Sequence, residues 1–147
     1  MKFTKAFLVK APLDKVIECY TNDDIRKEWD SMIVSKAQVS GSPLQEGAQS
    51  IIHFKTPKGS DELQETILEN KLPNSIKGLY VHKFMENTLH THFEKINENE
   101  TKVSLDVDYF KTKKFFITVF MKLFPKQFKS QVDNTMNEFK TYVEGLG

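Results

Sequence analysis

Between residues 31 and 110 the chain is a succession of strand-like segments joined by turns too short to carry a crossover helix. Strands linked that way pair antiparallel with their neighbours, because a parallel pair needs a long return connection. The cleanest segment is KVSLDVDYF: Val103, Leu105, Val107 and Tyr109 fall on one side, and Ser104, Asp106 and Asp108 on the other. IKGLYVHKF sets Ile76, Gly78, Tyr80, His82 and Phe84 on one face. TLHTHFEKI sets Leu89, Thr91 and Phe93 against His90, His92 and Glu94. AQSIIHFKT turns Ile52 and Phe54 inward, and MIVSKAQV is read with Ile33, Ala37 and Val39 on one side and Lys36 and Gln38 on the other. ELQETILENKL is a longer strand whose facing the pattern leaves open. The turns are assigned to GSPLQEG, PKGSD, PNS, Glu86–Asn87 and NENE. No strand–helix–strand spacing occurs, which excludes a doubly wound nucleotide-binding sheet.

Helical periodicity is confined to the two ends. After a first strand, KFTKAFLVK with Phe3, Phe7 and Val9 on one face, Pro12 and Asp14 suit the first turn of a helix. Leu13, Val16, Ile17 and Tyr20 form its buried stripe, with Cys19 beside it as a small hydrophobe. A second short helix follows, capped by Thr21 or Asn22, with Ile25 and Trp29 on one face. At the other end, KKFFITVFMKLFPKQFK mixes aromatics with lysines, and Phe128, Val132, Met136, Phe139, Tyr142 and Val143 continue at helical spacing. The periodicity predicts helix over about 113–144. Phe116, Val119, Phe120, Leu123 and Phe124 share one broad face in its first half. That face lies roughly 100° around the axis from the face of the second half. Pro125 sits at the changeover, where a missing donor and a ring clash kink or break a helix.

Composition narrows the function. A chain of 147 residues suits one domain, 1–147, with one core. A net charge of +1 gives no general pull toward nucleic acid, and the strands carry no basic stripe with interleaved aromatics. One cysteine excludes a disulfide framework and a cysteine-rich metal site. Lysines at 2, 5 and 10 interrupt any apolar leader, and the run Phe115–Met121 is far short of a bilayer span, so a cytoplasmic, unprocessed protein is expected. The lysines around that run are read as the solvated side of a core helix. Contact with a membrane surface is the lesser reading. No catalytic, phosphate-binding or dinucleotide motif is present, and no cofactor is expected. His90 and His92 share a strand face, but that face is outward and no third ligand is visible, so no metal site is expected.

The opening, FLVKAPLDKVIECYTNDDIRKEWDSM, resembles that of the START-related, polyketide-cyclase-like (SRPBCC) superfamily. The match runs through Ala11-Pro12, Val16, Asp23 and Trp29-Asp30. The end, MNEFKTYVEG, is similar to that superfamily's closing helix at Phe139, Lys140 and Glu144. The resemblance implies an α+β helix-grip fold: a curved antiparallel sheet wrapped around a long C-terminal helix, with two short helices after the first strand. It implies an elongated hydrophobic cavity but no catalytic residue, since members bind or transfer lipids, bind sterols or hormones, cyclise polyketides or assist chaperones.

In that architecture the inward faces outline a pocket for a hydrophobic, lipid-like or polyketide-like small molecule. Ile52, Phe54, Tyr80, His82, Phe93, Val107 and Tyr109 are its expected sheet side. Phe116, Phe120, Leu123 and Phe124 are its expected helix side. Tyr80 and His82 are the expected polar handles. Two other functions stay open: a cyclase/dehydratase-like enzyme using Tyr80 and His82, and a co-chaperone-like interaction module whose pocket is filled by side chains.

Overall fold

The computed structural model describes the backbone of residues 1–147 and every side chain except that of Phe116. The elements run β1 Lys2–Val9, α1 Leu13–Thr21, α2 Asp23–Trp29, β2 Ile33–Ser40, β3 Gln49–Thr56, β4 Gly59–Lys71 and β5 Ser75–Val81. They continue with β6 Met85–Asn97, β7 Glu100–Thr112, α3 Phe115–Leu123 and α4 Pro125–Gly145. All seven strands form one antiparallel sheet in the order β1-β7-β6-β5-β4-β3-β2. The helices α1 and α2 therefore carry the chain from one edge of the sheet to the other, and α4 returns along the same inner face. This is the helix-grip α+β fold. No helix among the described residues is long and apolar enough to cross a membrane.

Local chemistry accounts for the helix starts and stops. Asn22 ends α1 and caps α2, its side-chain oxygen accepting from the backbone N–H of Asp24 at 3.0 Å and Ile25 at 3.1 Å. Trp29 ties helices together rather than holding α2 to the sheet. Its ring Nε1–H donates to the Cys19 carbonyl at 3.0 Å, and its face meets the edge of Phe139 at 5.0 Å. The predicted break at the proline is present: Phe124 leaves helical geometry (φ −130°, ψ 55°) and Pro125 opens α4 in the first turn, where it loses nothing.

Strand bulges bend the sheet and re-aim side chains. One between Ile33 and Ser35 corrects the reading of β2. Ile33 faces in, but beyond the bulge Lys36 pairs with Ile52 and also faces in, while Ala37 and Val39 face solvent. Another, between Ile67 and Glu69, resolves β4. Leu63, Glu65 and Ile67 lie inward, and Asn70 takes the inward place after the bulge. The β5–β6 turn also falls earlier than Glu86–Asn87. Strand β5 ends at Val81, and His82–Phe84 form the turn, with the His82 N–H donating to the Met85 carbonyl at 2.9 Å. Gly41 turns the chain after β2 at φ +72°; a Cβ there would lie 3.0 Å from the Ala48 backbone.

Candidate ligand cavity

The inner face of the sheet is filled at one end and hollow at the other. Near β1, β7 and the last turns of α4, the core residues Val9, Val16, Val103, Leu105, Phe139 and Val143 are at most 2% exposed. Phe139 stands edge-on to Tyr20 at 5.6 Å and to Trp29 at 5.0 Å. Toward β3–β5 a cavity of about 280 Å³ opens between the sheet and α4. Its floor is Leu63, Glu65, Ile67, Ile76, Gly78 and Tyr80 from β4 and β5, continued by Asn87, Leu89, Thr91 and Leu105. Its roof is Gln131, Val132, Thr135 and Met136 of α4, and α1 and α2 close one side through Tyr20, Asp23, Arg26 and Trp29. Leu44 closes another side from the β2–β3 loop. Its backbone is left-handed (φ 67°), a costly state for leucine, and its carbonyl accepts from Asn70 Nδ2 at 2.8 Å. Gln131 is exposed and Asp23 partly so, which places the opening of the cavity between α2 and α4.

A polar cluster occupies one wall. Lys36 Nζ bridges Glu65 Oε1 at 2.9 Å and Asp23 Oδ1 at 3.0 Å, with the side chains of Lys36 and Glu65 only 10% and 6% exposed. Glu65 also accepts from Ser50 Oγ at 3.1 Å and from Tyr80 OH at 2.8 Å. Burial alone pushes the Glu65 carboxyl up. The Lys36 charge, hydrogen bonds from Lys36 and Tyr80, and the Arg26 charge outweigh that and hold it below its usual range. Burial raises Tyr80 well above an ordinary phenol, and the Glu65 carboxylate raises it further, so Tyr80 is a neutral donor. Gly78 makes room for this arrangement: a Cβ there would stand 2.9 Å from the Tyr80 ring. Tyr20, also raised by burial, shares a 2.7 Å hydrogen bond with Thr91.

Arg26 differs from its neighbours. Among the described residues its only side-chain hydrogen bond is from Nε to Asp30 Oδ2 at 3.1 Å. Arg26 lines the cavity, and neither of its terminal nitrogens has an acceptor among the described residues. The ion cluster of Asp23, Asp30 and Glu65 against Arg26 and Lys36 has three negative and two positive groups. A neutral oxygen acceptor therefore suits the Arg26 donors better than a further carboxylate.

The eleven residues singled out from the sequence are scattered. Tyr80 alone of those described lines the cavity. Ile52, Phe93 and Val107 are packed at 4–6% exposure, Phe93 edge-on to Tyr20 at 5.5 Å. His82 lies in the turn beyond β5, bonded to Asp61 at 2.7 Å and beside Phe54 and Phe84. Tyr109 stacks edge-on to Phe128 at 5.7 Å in a groove under α3. Phe120, Leu123 and Phe124 do not roof the cavity; they are 42%, 66% and 46% exposed, because the break at Phe124 swings α3 off the sheet's hollow. The Phe116 side chain lies outside the described residues. Missed were Arg26, Lys36 and Glu65. Charged residues read as surface unless strand facing is known, and bulges hid that facing in β2 and β4.

The outward histidines have a neighbour that strand order supplies. Asp106 pairs across from His90, and donor atoms of His90, His92 and Asp106 lie within 4.8 Å of one another. His92 Nε2 is already 3.0 Å from Asp106, and His90 Nε2 is shut from solvent with no hydrogen-bond partner among the described residues. The three donor groups are close enough together to hold a metal ion.

No protein-family model matches the sequence, and no curated protein does. Solved structures match over the whole chain. A START superfamily protein from Mycobacterium smegmatis superposes with TM-score 0.80 at 12% identity, covering 99% of both chains. Ara h 8.0201 superposes with TM-score 0.77 at 12% identity over 97% of each chain. The di-domain ARO/CYC protein BexL of the BE-7585A biosynthetic pathway gives 0.81 at 13% identity, over 98% of this chain and 46% of that one. At such identities the likeness establishes the fold: the chain has the helix-grip fold of the START-related, polyketide-cyclase-like superfamily, as its first and last motifs imply.

Proposed function

We propose that the chain binds a compact, largely apolar small molecule in the cavity between α4 and the sheet, oriented by an oxygen on the ligand. The observation that carries this is the pairing of an apolar hollow with the two uncommitted nitrogens of Arg26 in its wall. A dry cavity of about 150 Å³ is enough for benzene. The larger space here suits a bicyclic aromatic or a short branched chain, polyketide-like or lipid-like, with a carbonyl or hydroxyl oxygen. Solved structures of the same fold include a START superfamily protein and an ARO/CYC protein, which supports a hydrophobic ligand. Binding or carriage is favoured over catalysis. Tyr80 is committed to Glu65, and His82 lies outside the cavity, committed to Asp61, so the two share no space in which to pass a proton to a ligand.

The test is calorimetric titration with 2-naphthol and with naphthalene. A hydrogen bond to a charged donor is worth about 1.5–3 kcal/mol, so 2-naphthol is expected to bind at least about tenfold more tightly. Arg26→Met should erase that preference and leave naphthalene binding unchanged, with the fold checked by circular dichroism. Absence of saturable binding by either probe overturns the proposal.

A further inference from the structure

The helix α3 presents a surface that nothing among the described residues covers. Phe115 is 84% exposed, Leu123 66%, Phe124 46% and Phe120 42%, and Phe110 beside them on β7 is 54% exposed. On a helix of nine residues this is a dense apolar knob, and contiguous exposed apolar surface marks a contact site. Its charge surroundings are one-sided. From residue 109 to 132 the chain has no acidic residue and six lysines, at 111, 113, 114, 122, 126 and 129. The whole chain is nearly balanced, at +1. Lys111 is tied to Glu86 at 3.3 Å, Lys114 stands over the Phe84 ring at 4.5 Å and Lys129 over the Phe3 ring at 5.7 Å. Lys122 and Lys126, on either side of Leu123 and Phe124, are exposed and have no ion pair among the described residues.

We infer that α3 and the start of α4 dock on an anionic phospholipid surface. Phe115, Phe120, Leu123 and Phe124 enter the boundary between headgroups and acyl chains, and the lysines sit among the phosphates. An apolar helix face rimmed by lysines has the two components that interfacial binding requires, buried apolar area and attraction to anionic lipid. A second copy of this chain fits less well, since a self-complementary contact would set one lysine rim against another. A row of neighbouring residues runs from the docked end to the cavity. Phe120 touches Phe128 at 5.7 Å, Phe128 touches Tyr109 at 5.7 Å, and Tyr109 pairs across the sheet with Asn87 of the cavity floor. The docking inference stands whether or not the cavity is occupied.

The test is co-sedimentation of the full chain with vesicles of phosphatidylcholine alone and of phosphatidylcholine with 30 mole per cent phosphatidylglycerol. Binding is expected only to the anionic vesicles and should weaken as salt is raised. A lysine near such a surface contributes about fivefold in affinity, so Lys122→Glu with Lys126→Glu should lower binding by at least about 25-fold. Phe115→Ser with Leu123→Ser should abolish sedimentation while leaving the far-ultraviolet circular dichroism unchanged. Equal binding to neutral and anionic vesicles overturns the inference, as does anionic binding that survives both pairs of substitutions. A dimer dissolved by Phe115→Ser with Leu123→Ser, in a protein that ignores vesicles, overturns it in favour of self-association.

Discussion

The two ends of one sheet, under one helix, are packed by opposite rules. At the β1–β7 end, inward positions hold Val9, Val103 and Leu105 below Phe139 and Val143, all at most 2% exposed. At the β3–β5 end the corresponding positions hold Glu65, Gly78 and Tyr80, with Lys36 beside them and Arg26 facing from α2. Helix α4 spans both, so helix placement does not create the cavity. The hollow exists because side chains at one end interlock, while at the other a glycine and a self-contained ion cluster hold the wall without filling the space. On the proposed function, the filled end carries stability and the hollow end recognition.

The largest effect should come from the filled end. Phe139→Ala removes the ring on which Tyr20 and Trp29 stand and should cost about 3–5 kcal/mol in denaturant unfolding. A loss below about 1 kcal/mol would mean this end is not the stabilising half. Next, Glu65→Ala breaks the ion cluster of the hollow end. Orphaning a buried charge costs about 3–5 kcal/mol, but Lys36 retains Asp23, so about 2–3 kcal/mol is expected.

A smaller effect is set by pH. The folded Glu65 carboxyl titrates below its unfolded value of about 4.3. Its contribution is therefore complete above that pH and is lost as the pH falls through the lower folded value. Asp61, pulled down to about 2 by the hydrogen bond from His82, acts in the same direction. Unfolding curves between pH 5 and pH 2 should show Glu65→Gln losing less stability with acid than the wild type. Parallel curves would remove Glu65 from the account. The smallest stability effect should come from filling the hollow. Leu89→Phe with Val132→Phe should change unfolding free energy by no more than about 1 kcal/mol, because the rings enter existing space instead of an occupied core.

Much of the fold was legible because strand alternation and helical stripes report burial directly. Val103 to Tyr109 read correctly because β7 is paired on both sides and buried on one face. The capping Asn22 and the break at Pro125 read correctly because their chemistry is local. The cavity was far less legible. Its polar wall depends on bulges in β2 and β4, which shift side-chain parity at a position that no residue type announces. In β4, apolar residues occur at both parities, with Leu63 and Ile67 on one and Leu68 on the other. Glu65 therefore had no pattern to mark it as interior. The break at Pro125 is legible but the direction in which it turns α3 is not, and so the aromatics of α3 are assigned to a cavity that they leave.

The central claim is that the hollow end is a binding site. Calorimetric titration of 2-naphthol into the wild type and into Leu89→Phe with Val132→Phe tests it most directly. One saturable site in the wild type, lost in the filled variant with its fold intact, is the predicted result. No saturable binding to the wild type, or equal binding to both proteins, would contradict it.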